Sequence, residues 1–181
     1  MTTLALTGLG SGALHALTGP DHVLSLAPLA AGRRDAWKVG LRWGVGHGLG
    51  TLVIGLPFLA LAQWVPLEWL ATWGERLAGL TLIVLGVVAV RGGTSTKQAQ
   101  GTAWVVGFVH GVCGAPALLL VSPALAWGAW AFTASLVAFA VGSALAICAL
   151  TALLGRARGF ERLGRVAGVA SIGLGVVWML G

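Results

Sequence analysis

Histidine is confined to the apolar parts of this chain. His15, His22, His47 and His110 are its four histidines, and each falls within a hydrophobic stretch, none in a polar loop. The densest group is His15-Ala16-Leu17-Thr18-Gly19-Pro20-Asp21-His22, inside a run that is otherwise apolar from Leu4 to Ala31. Ionisable groups at membrane depth are costly to desolvate, so by default they mark a functional site. Imidazole suits nickel, copper, zinc and iron, whereas oxygen-only sets suit magnesium, calcium and manganese. Several histidines with one carboxylate therefore point to a late first-row divalent metal. Cys113, one turn from His110, adds a single soft donor to the candidate set.

These side chains need a particular backbone. In one continuous helix His15 and His22 would share a face but stand roughly 10 Å apart along the axis. That is too far for one ion with metal–nitrogen distances of about 2.0–2.1 Å. Gly19-Pro20 lies between them and interrupts the helix. Pro20 suits the first position of a second half-helix, with Asp21 and His22 in its first turn. Asp21 then offsets the positive end of that half-helix. The first half-helix is expected to end near Leu17 with carbonyls left open to a cation. Gly111, Gly114 and Pro116 are expected to break a later segment in the same way.

The surrounding elements belong to a membrane. Of 181 residues 57% are hydrophobic and only 9% charged, and the mean hydropathy is +0.93. Apolar segments are expected at about 4–31, 39–65, 67–90, 102–121, 125–154 and 166–180, the last supplemented by the basic connector before it. The most linker-like stretch runs from Arg91 to Gly101. Gly44, Gly46, Gly48 and Gly50 are expected to admit another backbone closely, not a phosphate. Trp37, Trp64, Trp69 and Trp73 read as interfacial anchors. Glu75 and Arg76 read most simply as an interfacial pair, with an ion relay as the sharper alternative.

Charge sets the topology. The basic residues that give the net charge of +6 lie in short gaps between apolar runs, which excludes nucleic acid as the simplest partner. Arg33, Arg34, Lys38, Arg91, Lys97, Arg156, Arg158, Arg162 and Arg165 follow the first, third and fifth segments, and the loops after the second and fourth hold no Lys or Arg. Those basic loops face the cytoplasm, so both termini are expected on the other side of the cell (inner) membrane. The start of the chain has no positive n-region and reads as a retained helix, not a cleaved signal. Cys113 and Cys148 make no CxxC and indicate no disulfide framework.

The chain also repeats. Gly12, His15, Gly19 and Pro28 align without a gap on Gly107, His110, Gly114 and Pro123, and Arg76 to Val88 aligns on Arg165 to Val177. Gly46 and Leu49 match Gly142 and Leu145 more weakly. A three-helix unit used twice must insert its copies in opposite orientations. The expected fold is thus an all-α integral membrane protein of six transmembrane helices. Its two inverted repeats, 1–92 and 93–181, make one membrane domain, with helices 1 and 4 broken.

The motif His15-Ala-Leu-Thr-Gly-Pro-Asp21-His22, with Gly46-His47-Gly48 and His110-Gly-Val-Cys-Gly114, resembles the nickel/cobalt transporter superfamily, and most nearly its compact six-helix, urease-accessory-type branch. The family places His, a four-residue gap and Asp-His on an early transmembrane helix; here the gap holds five residues. The resemblance implies that His15, Asp21 and His22 contact metal, with His47 a further ligand and His110 matching a histidine of the second half. It implies a secondary transporter of Ni2+ or Co2+, not an enzyme, with no permanently bound cofactor. A non-transporting accessory protein that handles metal is the alternative. A membrane thiol–disulfide carrier is a weaker one, because it needs a cysteine pair and Cys113 has Thr18 as its repeat mate. The partners expected are the lipid bilayer and the metal ion, and a small bundle of this kind is compatible with a homo-oligomer.

Overall fold

A computed structural model describes residues 2–61, 64, 66–92, 96–114, 117–156 and 160–180, and among them there is no strand. Eight α-helices follow in order: α1 (Thr2–Thr18), α2 (Pro20–Ala30), α3 (Ala36–Leu61), α4 (Leu67–Val90), α5 (Thr96–Cys113), α6 (Leu118–Val121), α7 (Ala129–Leu154) and α8 (Phe160–Leu180). A 3-10 turn at Ser122–Trp127 joins α6 to α7. Within α3, α4 and α7, three stretches are long and apolar enough to cross a membrane: Ala36–Ala60, Glu68–Val90 and Ala129–Leu154. Counting the pair Gln98–Cys113 and Leu118–Trp127, which meet at 65°, as one broken span makes four. The apolar part of α8, Gly164–Leu180, is shorter.

Glycine decides which helices touch. Without an aqueous hydrophobic effect between helices, close van der Waals packing at small residues holds them together. Gly8, Gly12 and Ala16 line one face of α1 at four-residue spacing and are buried. A Cβ on Gly12 would strike the Phe139 carbonyl of α7, and one on Gly142 would strike the Leu9 carbonyl of α1. The same arrangement recurs between α5 and α3. There, Gly107 packs on the Trp43 carbonyl and Gly46 on the Trp104 carbonyl. In both pairs the residue numbers rise together along the contact, from Gly8 on Ser135 to Gly12 on Phe139 and from Gly107 on Trp43 to Gly111 on His47, so the helices run parallel.

The other two large interfaces run antiparallel. Gly44 and Gly48 of α3 lie against Ala144 and Ala140 of α7. Gly79 and Gly86 of α4 pack on Gly175 and Gly168 of α8. Helix α3 is therefore clasped on two faces: Gly44 and Gly48 admit α7, while Gly46 and Gly50 admit α5. The close approach expected of this glycine run is what the structure shows.

Element boundaries depart from expectation in two places. The linker expected from Arg91 to Gly101 is already helical from Thr96. Gly111 is not a break: it lies inside α5, packed on the backbone of His47 and Thr51. Helix α5 ends at Cys113, and Pro116, expected to contribute to that break, lies outside the described residues, as does the expected boundary between the two halves at residue 93.

Candidate metal site

The break in the first segment falls where Gly19-Pro20 put it. Helix α1 stops at Thr18, Gly19 is extended with φ −71° and ψ 111°, and Pro20 opens α2. The chain leaves one helix and re-enters the next within a single residue. This folds His22 back toward His15, and their ring centroids lie 4.8 Å apart. Two carbonyls near the end of α1 are already engaged. His15 O accepts the Gly19 N–H at 3.0 Å, and Leu14 O accepts the Thr18 hydroxyl at 2.8 Å. Tight turning satisfies these two acceptors internally, and the group of donors found beside the break is one of side chains.

Three imidazoles from three helices converge. His15 of α1, His22 of α2 and His47 of α3 each offer a donor atom, and these atoms all lie within 4.8 Å of one another. The His22 and His47 Nε2 atoms lie 3.5 Å apart. Two nitrogens bound to one divalent ion at about 2.0–2.1 Å stand roughly 3 Å apart, so a shift of a few tenths of an ångström closes that pair on an ion. Asp21 Oδ1 lies 3.3 Å from His22 Nδ1, beside the cluster and not inside it.

His110 and Cys113 stand off to one side. His110 Nδ1 donates to the Val106 carbonyl one turn back at 3.1 Å, and its ring centroid is 6.3 Å from that of His22. Cys113 is buried near Gly74 of α4 and is a free thiol, as is Cys148. Neither His110 nor Cys113 belongs to the three-histidine group. His15 Nε2, His47 Nδ1 and His110 Nε2 are buried without a hydrogen-bond partner among the described residues. An unsatisfied buried polar atom costs about 1–3 kcal/mol, and such atoms on His15 and His47, with His110 nearby, fit a site that a cation completes.

The histidines rest on an aromatic floor that the sequence expectations did not include. Trp43 is fully buried, stacks on His47 at 5.1 Å with 13° between planes, and meets His22 edge-on at 5.3 Å. Phe139 of α7 lies 5.3 Å from His15. The spacing Trp43–His47, one helical turn, was the signal that could have found the first. Arg76 also differs from expectation: its guanidinium lies over the Trp73 ring at 5.3 Å. Glu75 instead lines a cavity with His15, His22 and His110, and among the described residues no ion pair joins it to Arg76.

An all-helical chain with membrane-length apolar helices and a buried imidazole cluster is the class that fold and site define. The chain is 34% identical over 212 residues to Chloroplast protein FOR GROWTH AND FERTILITY 1 of Arabidopsis thaliana, which takes in 96% of this chain and 58% of that one. It is 34% identical over 206 residues to Chloroplast protein FOR GROWTH AND FERTILITY 2 of the same plant, covering 96% of this chain and 55% of the relative. It thus spans little more than half the length of these two relatives. A distant homologue is the Urease accessory protein UreH of Bacillus sp. (strain TB-90), 23% identical over 178 residues, with 86% of this chain and 77% of that protein covered. No family model matches the chain. No solved structure matches it either. The family link is accordingly broad.

Proposed function

We propose that the chain is a secondary transporter of a divalent transition-metal ion, nickel or cobalt first, held among His15, His22 and His47 with Asp21 beside them. One observation carries this reading: three imidazoles from separate helices bring their donor atoms within 4.8 Å in the interior of an otherwise apolar bundle. Nitrogen donors select a late first-row ion, and the neutral imidazole is the form that binds it. The resemblance of the His15–His22 motif to nickel/cobalt transporters and the distant homology to a urease accessory protein both favour this cargo.

In this reading α1 with α2, and α5 with α6, are broken spans, and α8 completes six. The paired contacts support two inverted halves. Gly12 on Phe139 in one half corresponds to Gly107 on Trp43 in the other. The His15–Phe139 ring pair at 5.3 Å likewise corresponds to His110–Trp43 at 5.5 Å. The α4–α8 interface maps onto itself, since Gly79 and Gly86 align with Gly168 and Gly175. Rocking of such halves about a midplane site alternates access to the two sides. The membrane is the cell (inner) membrane, with the basic loops cytoplasmic and both termini opposite.

The test is uptake of radioactive cobalt or nickel into liposomes containing the purified protein. Wild type accumulates the ion and His22→Ala does not. Tight binding without uptake would favour the accessory role that the UreH name suggests, and uptake by His22→Ala at the wild-type rate would end the proposal.

A further inference from the structure

Glu75 is an expensive residue in its position. It lies eight residues into α4, about 12 Å along the helix axis from Leu67, and within the membrane-length stretch Glu68–Val90. An exposed carboxylate facing lipid at that level would be strongly disfavoured, so it should face an aqueous space. Such a space is present. A cavity of about 210 Å³ is lined by Glu75, Asp21, His15, His22, His110 and Trp178, among others. It lies toward the end of the bundle where α4 begins and α5 and α8 finish. His110 is 3% exposed, and its Nε2 has no partner among the described residues. The cavity therefore has an acidic group at its exposed margin and an unpaired imidazole nitrogen in its wall. His47 does not line it, so His15 and His22 stand between the cavity and His47.

We infer that this cavity is an antechamber for the cation and that Glu75 is its capture residue, drawing the hydrated divalent ion in before it passes to His15 and His22. This rests on the transport reading above and adds a place of entry to it: the non-cytoplasmic end. A carboxylate in a low-dielectric cleft focuses the field on a dication and raises its encounter rate by about 10–10³-fold in a salt-sensitive way. His110 provides the next donor along the wall, and the histidine pair the destination. Glu75 thus acts on arrival, not on the strength of final binding.

Initial rates of Co2+ uptake into liposomes, measured for wild type, Glu75→Gln and Glu75→Asp, test this, alongside equilibrium Co2+ titration of each protein in detergent. For Glu75→Gln the concentration giving half-maximal uptake should rise about tenfold, with the saturated rate and the equilibrium affinity both within twofold of wild type. Added monovalent salt should slow subsaturating uptake by wild type and leave Glu75→Gln nearly unaffected, a difference that a merely structural role would not produce. Glu75→Asp should restore most of the effect. Unchanged half-saturation in Glu75→Gln, or a collapse of its saturated rate, would overturn the capture role. A wild type that neither binds nor moves Co2+ would instead overturn the transport reading itself.

Discussion

The Nε2 atoms of His22 and His47 face one another at 3.5 Å although the two residues are 25 positions apart and on different helices. At that distance one neutral ring can donate a long hydrogen bond to the other, and a divalent ion between the two nitrogens would take the place of the shared proton. Removing either should therefore affect metal binding more than folding. In Co2+ titrations followed by visible absorption, His22→Ala and His47→Ala should each weaken binding by on the order of tenfold or more, about 1.4 kcal/mol per decade. His110→Ala, outside the three-histidine group, should weaken it less. Equal losses for all three would mean that the ion sits elsewhere in the cluster.

Gly19 offers a sharper test of the broken helix. Its φ of −71° is open to any residue, so alanine there carries no backbone strain. A Cβ would instead run into the His22 ring and come within 2.8 Å of Asp21 Oδ1. Gly19→Ala should leave helix content by circular dichroism unchanged and reduce Co2+ affinity. Gly10→Ala, which meets nothing within 4 Å, is the control and should do neither.

Gly107 and Gly12 occupy matching places, and each lets a neighbouring backbone approach within the space of a methyl group. Gly107→Ala should push α5 off α3 and cost about 1–3 kcal/mol, the usual range for overpacking. Thermal unfolding in detergent should show a clear fall in midpoint. Gly101→Ala and Gly173→Ala, both with open space, should not.

Trp43 supports the histidines from below. Trp43→Ala should remove about 3–5 kcal/mol of packing and free the His47 ring, weakening both stability and Co2+ binding. Trp43→Phe keeps an aromatic face under His47. The indole N–H has no partner among the described residues, so its loss forfeits no hydrogen bond. The phenylalanine variant should therefore bind Co2+ nearly as wild type does, and a full loss of affinity in it would show that the indole does more than pack.

Much of this site can be read from the chain because its cause is local. Gly19-Pro20 breaks a helix by covalent geometry, and the pattern of His and Asp around it survives any tertiary arrangement. Hydropathy likewise marks α3, α4 and α7 closely. Partner choice is another matter. That Gly12 meets Phe139, or that Glu75 shares a cavity with His110 while Arg76 lies on Trp73, depends on which faces meet, and apolar content around a helix does not say which. Trp43 was hidden for the same reason, since tryptophan in such a chain is most simply assigned to the lipid headgroup level. The one-residue break also lets Leu14 O and His15 O take local partners, which residue spacing alone does not foretell.

The parallel pairing of α1 with α7 has a consequence for biogenesis. Helix α1 emerges from the ribosome early, carrying its glycine face and His15, yet the surface that fits that face is made well over a hundred residues later. Until α7 enters the bilayer, the first helix has to wait among lipids without its mate. Final docking is therefore a late event, and shortened chains lacking α7 should be prime substrates for membrane quality-control proteases.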